Sequence, residues 1–133
     1  MGLTEFFFVY LLGALGYGGI ESFWRGSTHW TMLLLGGACF LVIYAVTAFG
    51  RFVLPLRWLL CAVFITVMEF LSGCLLNLCL GWDIWDYGDI PGNLLGQICP
   101  FYSACWLLLS IPCSALAHLI RRWLFPPSDG GGT

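Results

Sequence analysis

The chain has 133 residues, of which 60% are hydrophobic and 9% are charged, with a formal net charge of −2. Soluble domains carry about 25% charged residues, so this composition excludes an ordinary soluble domain. The small net charge gives no indication of nucleic-acid binding. The length predicts a single domain, residues 1–125, which hydropathy divides into four apolar segments: residues 6–24, 31–50, 57–80 and 98–120.

These four segments predict an all-α, polytopic membrane protein. Each approaches or exceeds the roughly 20 residues that a helix needs to cross a hydrocarbon core of about 30 Å. Backbone polar groups cannot remain unpaired in lipid, so the segments are predicted to be helices. Short connections favour antiparallel neighbours, which predicts an up-down bundle of four transmembrane helices. Residues 126–133 read as a disordered tail.

The first segment carries a carboxylate near its end. Tyr17 and Glu21 are spaced i, i+4 and share one helix face. An ionisable group at membrane depth costs about 2.5–3.5 kcal/mol on insertion scales, and such groups usually face a protein interior or a wet cavity. Glu21 is therefore a candidate binding residue, with a local ion pair to Arg25 as the alternative. The glycines of this segment favour close helix packing: Gly13, Gly16 and Gly19.

The third segment carries a second carboxylate, Glu69, near its centre. Gly73 and Asn77 follow at i+4 and i+8, which places all three residues on one helix face. Gly73 leaves room for a ligand or another backbone to approach. No cation lies within one helical turn of Glu69. It is interpreted either as an ion- or proton-coupling carboxylate or as a hydrogen-bonded packing residue.

The connection between the third and fourth segments, residues 81–97, is too apolar for an ordinary exposed loop. Trp82, Trp85 and Tyr87 suit a membrane–water interface. The connection is predicted to form a structured cap. Its aspartates lack the spacing of a calcium loop, so no metal or other cofactor is predicted: Asp83, Asp86 and Asp89.

Together these features predict a site in the outer half of the membrane, beneath the cap and open to the outside. The solute is predicted to be small and either polar or cationic. The predicted binding residues are Tyr17, Glu21, Glu69, Asn77, Asp86, Tyr87 and Asn93.

The arginines predict the orientation of the chain. Arg51 and Arg57 flank the second connection, and Arg121 and Arg122 follow the fourth segment, whereas Arg25 lies on the opposite side. The positive-inside rule therefore predicts that both termini are cytoplasmic.

The cysteines are interpreted as small apolar residues, because none of the seven forms a CxxC pair. Cys79 and Cys99 border the cap, where a disulfide is an open alternative.

Four stretches carry a family resemblance: residues 16–21 (GYGGIE), 25–30 (RGSTHW), 69–74 (EFLSGC) and 85–99 (WDYGDIPGNLLGQIC). With Trp106, they resemble the CmpB-like family of small bacterial membrane proteins, described as type IV ABC-transporter permeases. The resemblance implies a location in the bacterial plasma membrane, a transport role and a separate ATPase subunit. It maps the glutamates of the family onto Glu21 and Glu69, and its cap motif onto Trp85, Asp86, Tyr87, Asn93 and Gly96.

The favoured hypothesis is a transporter or permease component that forms a homo-oligomer, because four helices make a bundle too thin for an aqueous path through one copy. The alternative is a non-transporting scaffold or sensor in which the carboxylates serve helix packing. No enzyme activity is predicted, because the sequence has no HExxH or CxxC motif and no arrangement of Ser, His and Asp suited to catalysis.

Overall fold

The computed structural model describes residues 1–126 of the chain. This part is 75% helical and has no strand, which confirms the predicted all-α fold with four candidate membrane-spanning helices. The helices are α1 (Leu3–Arg25), α2 (Trp30–Phe49), α3 (Leu54–Gly73, continued by a π-helical segment, Cys74–Cys79) and α4 (Pro100–Leu119, continued by Ile120–Leu124). Apart from its first residue, the predicted disordered tail lies outside the described residues.

Proline chemistry accounts for two helix starts. Pro55 lies in the first turn of α3, and Pro100 is the first residue of α4. A proline is accepted there because its missing N–H would have no partner within the helix. Hydropathy had placed the start of the third segment at residue 57, whereas α3 begins at Leu54.

Helix α2 is the centre of the bundle and packs against α1, α3 and α4. Glycines allow α1 and α2 to approach closely. A Cβ atom added to Gly13 would lie 2.5 Å from the Cβ of Phe40, and one added to Gly37 would lie 2.8 Å from the ring of Tyr10. The buried apolar core follows this contact and extends to α3 and α4: Val9, Cys39, Phe40, Ile43, Tyr44, Cys61, Ile65, Ala117 and Ile120.

Helix α1 begins and helix α4 ends on the same side of the bundle, which we call the terminal end. Arg121 of α4 donates to Glu5 of α1, with 2.8 Å between Nη1 and Oε2, and Tyr44 of α2 donates to the same carboxylate. At the opposite end, His29 at the start of α2 lies 6.1 Å from Trp82 between ring centroids. The connections therefore alternate between the two ends.

The outward faces of the helices are apolar. Large hydrophobic side chains stay exposed along all four helices, including Leu11, Leu34, Val63 and Leu108. All four helices are long and apolar enough to cross a bilayer. These faces are suited to contact lipid, and the chain is a multi-pass membrane protein.

Candidate functional site

Glu69 is the most deeply buried carboxylate of residues 1–126, with 3% of its surface exposed. Tyr87 Oη donates to its Oε2 atom at 2.8 Å, and Trp106 Nε1 donates to its Oε1 atom at 3.1 Å. These donors belong to the connection after α3 and to α4. One carboxylate thus joins three parts of the chain, and both of its oxygens accept a hydrogen bond.

Tyr87 belongs to the cap, which we define as residues 80–99. Its ring stacks on Tyr102 of α4, with 4.8 Å between centroids and 16° between planes. Burial, together with the negative charge of Glu69, raises the pKa of Tyr87 above its ordinary value. The phenol therefore keeps its proton and remains a donor to Glu69.

Glu21 is also buried, with 5% of its surface exposed. It accepts hydrogen bonds from Thr28 Oγ1 at 2.7 Å and from Tyr17 Oη at 3.3 Å. Arg25 Nη1 lies 3.4 Å from Glu21 Oε2, so the ion pair considered from the sequence is present. Arg25 Nη2 also donates to the backbone oxygen of Ile84 at 2.9 Å, which ties α1 to the cap.

A cavity of about 810 Å³ lies between α1, the cap and α4. Four of the predicted site residues line it: Tyr17, Glu21, Asp86 and Tyr87. Its walls are mainly apolar and aromatic, and they include Trp85, Tyr102 and Trp106.

Glu69 lines a second, smaller cavity of about 180 Å³ that reaches toward the core. Tyr17 and Trp106 line both cavities, and their ring centroids are 6.2 Å apart. Gly16, Ile20 and Leu109 also line both cavities. The two carboxylates that the sequence had placed in one site therefore line two adjoining cavities, Glu21 the larger and Glu69 the smaller.

Asn77 and Asn93 do not line either cavity and instead hold the cap together. Asn77 donates to Gln97 Oε1 at 2.8 Å and accepts from the backbone N–H of Ile84 at 2.7 Å. Asn93 accepts from the N–H of Gly96 at 2.9 Å.

The cap packs against α3 at Gly73. A Cβ atom at this position would lie 2.5 Å from Gln97 Oε1 and 2.9 Å from the ring of Trp85. Trp85 is 4% exposed, and its Nε1 donates to the backbone oxygen of Gln97 at 3.1 Å. The space that Gly73 leaves open is therefore filled by two cap side chains.

The cap contains no cluster of metal ligands within the described residues. Across residues 1–126, no group of three His, Cys, Asp or Glu side chains is placed to hold a metal ion. The seven cysteines are free thiols. Cys79 is exposed and Cys99 is buried, so the disulfide alternative is not present in this structure.

Comparison with known families supports the resemblance noted in the sequence. A family model described as "Putative ABC-transporter type IV" matches residues 6–126, which include the cap and nearly all of the four helices. The chain belongs to this family. The resemblance to CmpB-like proteins is thereby confirmed. No solved structure matches the chain.

In this type IV ABC-transporter family member, the sequence did not reveal the ion pair between buried Glu5 and half-buried Arg121. Hydropathy had placed Glu5 just outside the first apolar segment, and its partner is 116 positions away. Tyr102 and Gln97 were also missed. The i, i+4 spacing of Tyr102 and Trp106 was a signal for an aromatic face on α4.

Proposed function

We propose that this chain is the membrane component of a transport system and that it binds a small polar or cationic solute in the cavity between α1, the cap and α4. The observation that carries the proposal is the composition of this cavity. Glu21 and Asp86 line it together with Tyr87, Tyr102 and Trp106. Carboxylates attract cations, and aromatic faces do so through their quadrupole.

Glu69 is proposed as the coupling carboxylate. When it is ionised, its two oxygens accept from Tyr87 and Trp106. A protonated carboxyl carries a hydrogen on one oxygen and loses acceptor capacity there. A change of protonation at Glu69 therefore weakens a contact to the cap or to α4. Both of these elements line the larger cavity, so the change in protonation would alter the shape of the cavity.

The transport proposal is tested with proteoliposomes on a solid-supported membrane. Ammonium, tetramethylammonium and choline serve as probe solutes of increasing size. The wild-type chain, reconstituted with any ATPase that co-purifies with it and supplied with ATP, is expected to give transient currents with at least one of them, and Glu69→Gln is expected to abolish these currents. The glutamine retains an acceptor for Trp106 and a group that can donate to Tyr87, so folding is expected to persist.

Asp89→Asn is the matched control, because Asp89 is exposed in the cap and does not line the cavity. Its currents are expected to equal those of the wild type. Currents that survive in Glu69→Gln, or that are absent from the wild type with all three probes, would contradict the proposal.

Several partners and a location are proposed with this function. We propose a homo-oligomer in the bacterial plasma membrane, with cytoplasmic termini and a separate ATPase subunit, and we propose no enzyme activity for the chain itself. The family description supports the ATPase. Native mass spectrometry after mild detergent extraction tests both partners. A co-purifying ATPase would support the ABC assignment, whereas an oligomer of this chain alone would point to ion-coupled transport.

A second candidate function is a scaffold or sensor that transports nothing. One observation favours it: Glu21 and Glu69 each have hydrogen-bond partners within the chain. In that case Glu69→Gln is expected to lower expression or alter the oligomeric state. The same variant thus distinguishes the two functions.

A further inference from the structure

We infer that the cavity between α1 and α4 binds a phospholipid whose head group carries both a phosphate and an ammonium. This inference goes beyond the proposed function, because it adds a lipid ligand to the cavity in which a small solute is proposed to bind. Three features of the cavity carry it: its depth along the membrane, the charges at its cap end and the glycines in its wall.

The depth of the cavity matches one leaflet of a bilayer. Its lining on α1 runs from Arg25 to Leu15. At a rise of 1.5 Å per residue this distance is about 15 Å, half of a hydrocarbon core of about 30 Å. Leu15 is 69% exposed and Ile20 is 49% exposed. Because both lie on a membrane-spanning helix, the cavity opens sideways toward lipid.

The charges lie at the cap end of this cavity. Arg25 has a side chain that is 40% exposed, and its guanidinium retains donors beyond those used by Glu21 and Ile84. Asp86 is exposed, and its Oδ1 accepts from the N–H of Gly88 at 2.8 Å. In the described part of the chain its Oδ2 has no partner. A phosphate fits the guanidinium, and an ammonium fits the second carboxylate oxygen.

The balance of these charges selects a zwitterionic head group. An anionic head without an ammonium would leave Asp86 Oδ2 without a partner, and a head without a phosphate would leave the remaining Arg25 donors unused. Trp24 and Tyr102 lie beside the charges, with 3.3 Å between Trp24 Nε1 and Tyr102 Oη. Such amphipathic rings are typical of the level of lipid head groups.

The wall of the cavity contains two glycines that face open space. A Cβ atom at Gly16 or Gly19 would meet nothing within 4 Å, whereas one at Gly13 would clash with Phe40. Glycine in a helix interior costs about 1 kcal/mol relative to alanine. No packing contact within the chain explains why these two positions are glycine. An acyl chain that lies along α1 would explain it.

The experiment measures lipid binding by native mass spectrometry. The purified chain is titrated with phosphatidylethanolamine, phosphatidylglycerol and diacylglycerol of identical acyl chains. Phosphatidylethanolamine is expected to bind most tightly and diacylglycerol least. Gly19→Leu should place a bulky side chain in the path of the acyl chain and weaken phosphatidylethanolamine binding by about tenfold or more. Gly2→Leu is the control, because Gly2 also faces open space but lies outside the cavity.

Two charge variants separate the parts of the head group. Arg25→Gln is expected to weaken the binding of both phospholipids by about tenfold, since both carry a phosphate. Asp86→Asn is expected to weaken the binding of phosphatidylethanolamine alone. Asp89→Asn should change the affinity for neither phospholipid. Circular dichroism and gel filtration show whether Gly19→Leu folds. If it does not, the comparison of Asp86→Asn with Asp89→Asn tests the inference, and equal phosphatidylethanolamine binding by these two variants would overturn it.

Equal binding of the three lipids to the wild type would overturn the inference. So would wild-type affinity in Gly19→Leu, or a dimer that this variant dissociates in the absence of lipid, because the cavity would then be an interface between copies. Lipid selectivity without any current in proteoliposomes would leave the lipid site intact and remove the proposed transport. Currents without selectivity would remove the lipid site alone.

Discussion

At the scale of single residues, the glutamates share one property. The chain contains three, and Glu5, Glu21 and Glu69 are each no more than 5% exposed. Each accepts hydrogen bonds from side chains on other parts of the chain. Placing a carboxylate in a membrane is costly, and these contacts offset the cost.

The pair at the terminal end leads to a first prediction. Glu5→Gln is expected to lower the free energy of unfolding by about 1.5–3 kcal/mol, because Arg121 loses a charged acceptor. Unfolding in detergent is followed with a thiol-reactive dye. Cys61 is fully buried and reports the transition.

Arg122→Gln is the control for this prediction, because Arg122 is exposed at the same end. It is expected to change stability by less than about 0.5 kcal/mol. A double variant, Glu5→Gln with Arg121→Gln, measures the coupling between the two residues. Equal unfolding midpoints for Glu5→Gln and Arg122→Gln would show that the ion pair of Glu5 and Arg121 does not contribute to stability.

The sequence revealed Glu21 and Glu69 because apolar residues surround them. It also offered Arg25, one helical turn away, as a partner of Glu21, but it did not reveal the partners that lie farther along the chain. Thr28 donates to Glu21, and Trp106 donates to Glu69 from 37 positions away. Hydropathy and helical spacing describe neighbours on one helix, so contacts between helices are outside their reach.

At the scale of helices, the glycines of α1 divide into two groups. Gly13 packs against Phe40 of α2, whereas Gly16 and Gly19 line the cavity. The expectation that all three mark close helix packing holds for Gly13. For Gly16 and Gly19 the single chain provides no such contact.

A second prediction follows from this division. Gly13→Ala is expected to destabilise the protein by about 1–3 kcal/mol, because its Cβ would lie 2.5 Å from that of Phe40. Gly16→Ala serves as the matched control on the same helix. It is expected to be neutral or to stabilise by up to about 1 kcal/mol, since alanine favours a helix and meets no neighbour. Equal unfolding midpoints would contradict the close contact between α1 and α2.

The cap leads to a third prediction. Asn77→Ala removes the bonds to Gln97 and Ile84, so the cap should loosen. Cys99, which is 2% exposed, should then react faster with a maleimide. Peptide mass spectrometry measures the labelling. Cys79 is already exposed and serves as the internal reference. An unchanged ratio of Cys99 to Cys79 labelling would mean that Asn77 does not hold the cap.

The spacing of Glu69, Gly73 and Asn77 predicted that they share one face of α3, and all three face the cap. Tyr87 donates to Glu69, a Cβ atom at Gly73 would meet Gln97, and Asn77 donates to Gln97. This holds although α3 continues as a π-helical segment over Cys74–Cys79. The spacing did not show that cap side chains cover this face, because they lie far along the chain.

At the scale of the whole molecule, the arginines carry the fourth prediction. Arg51 and Arg57 lie in or near the connection at the terminal end, where Arg121 and Arg122 also lie. A fluorescent protein fused to the C-terminus should fluoresce, and alkaline phosphatase at the same position should be inactive, because both termini are expected in the cytoplasm. Active phosphatase with a dark fluorescent fusion would reverse the orientation.

The sequence by itself determined the number of helices, the membrane class, the family and two of the buried carboxylates. These features depend on apolar length and on local spacing, which a linear sequence records. The tertiary structure alone decided that Glu21 and Glu69 line different cavities and that Asn77 and Asn93 support the cap. Those outcomes depend on how α1, α4 and the cap approach one another, and contacts between distant residues determine that approach.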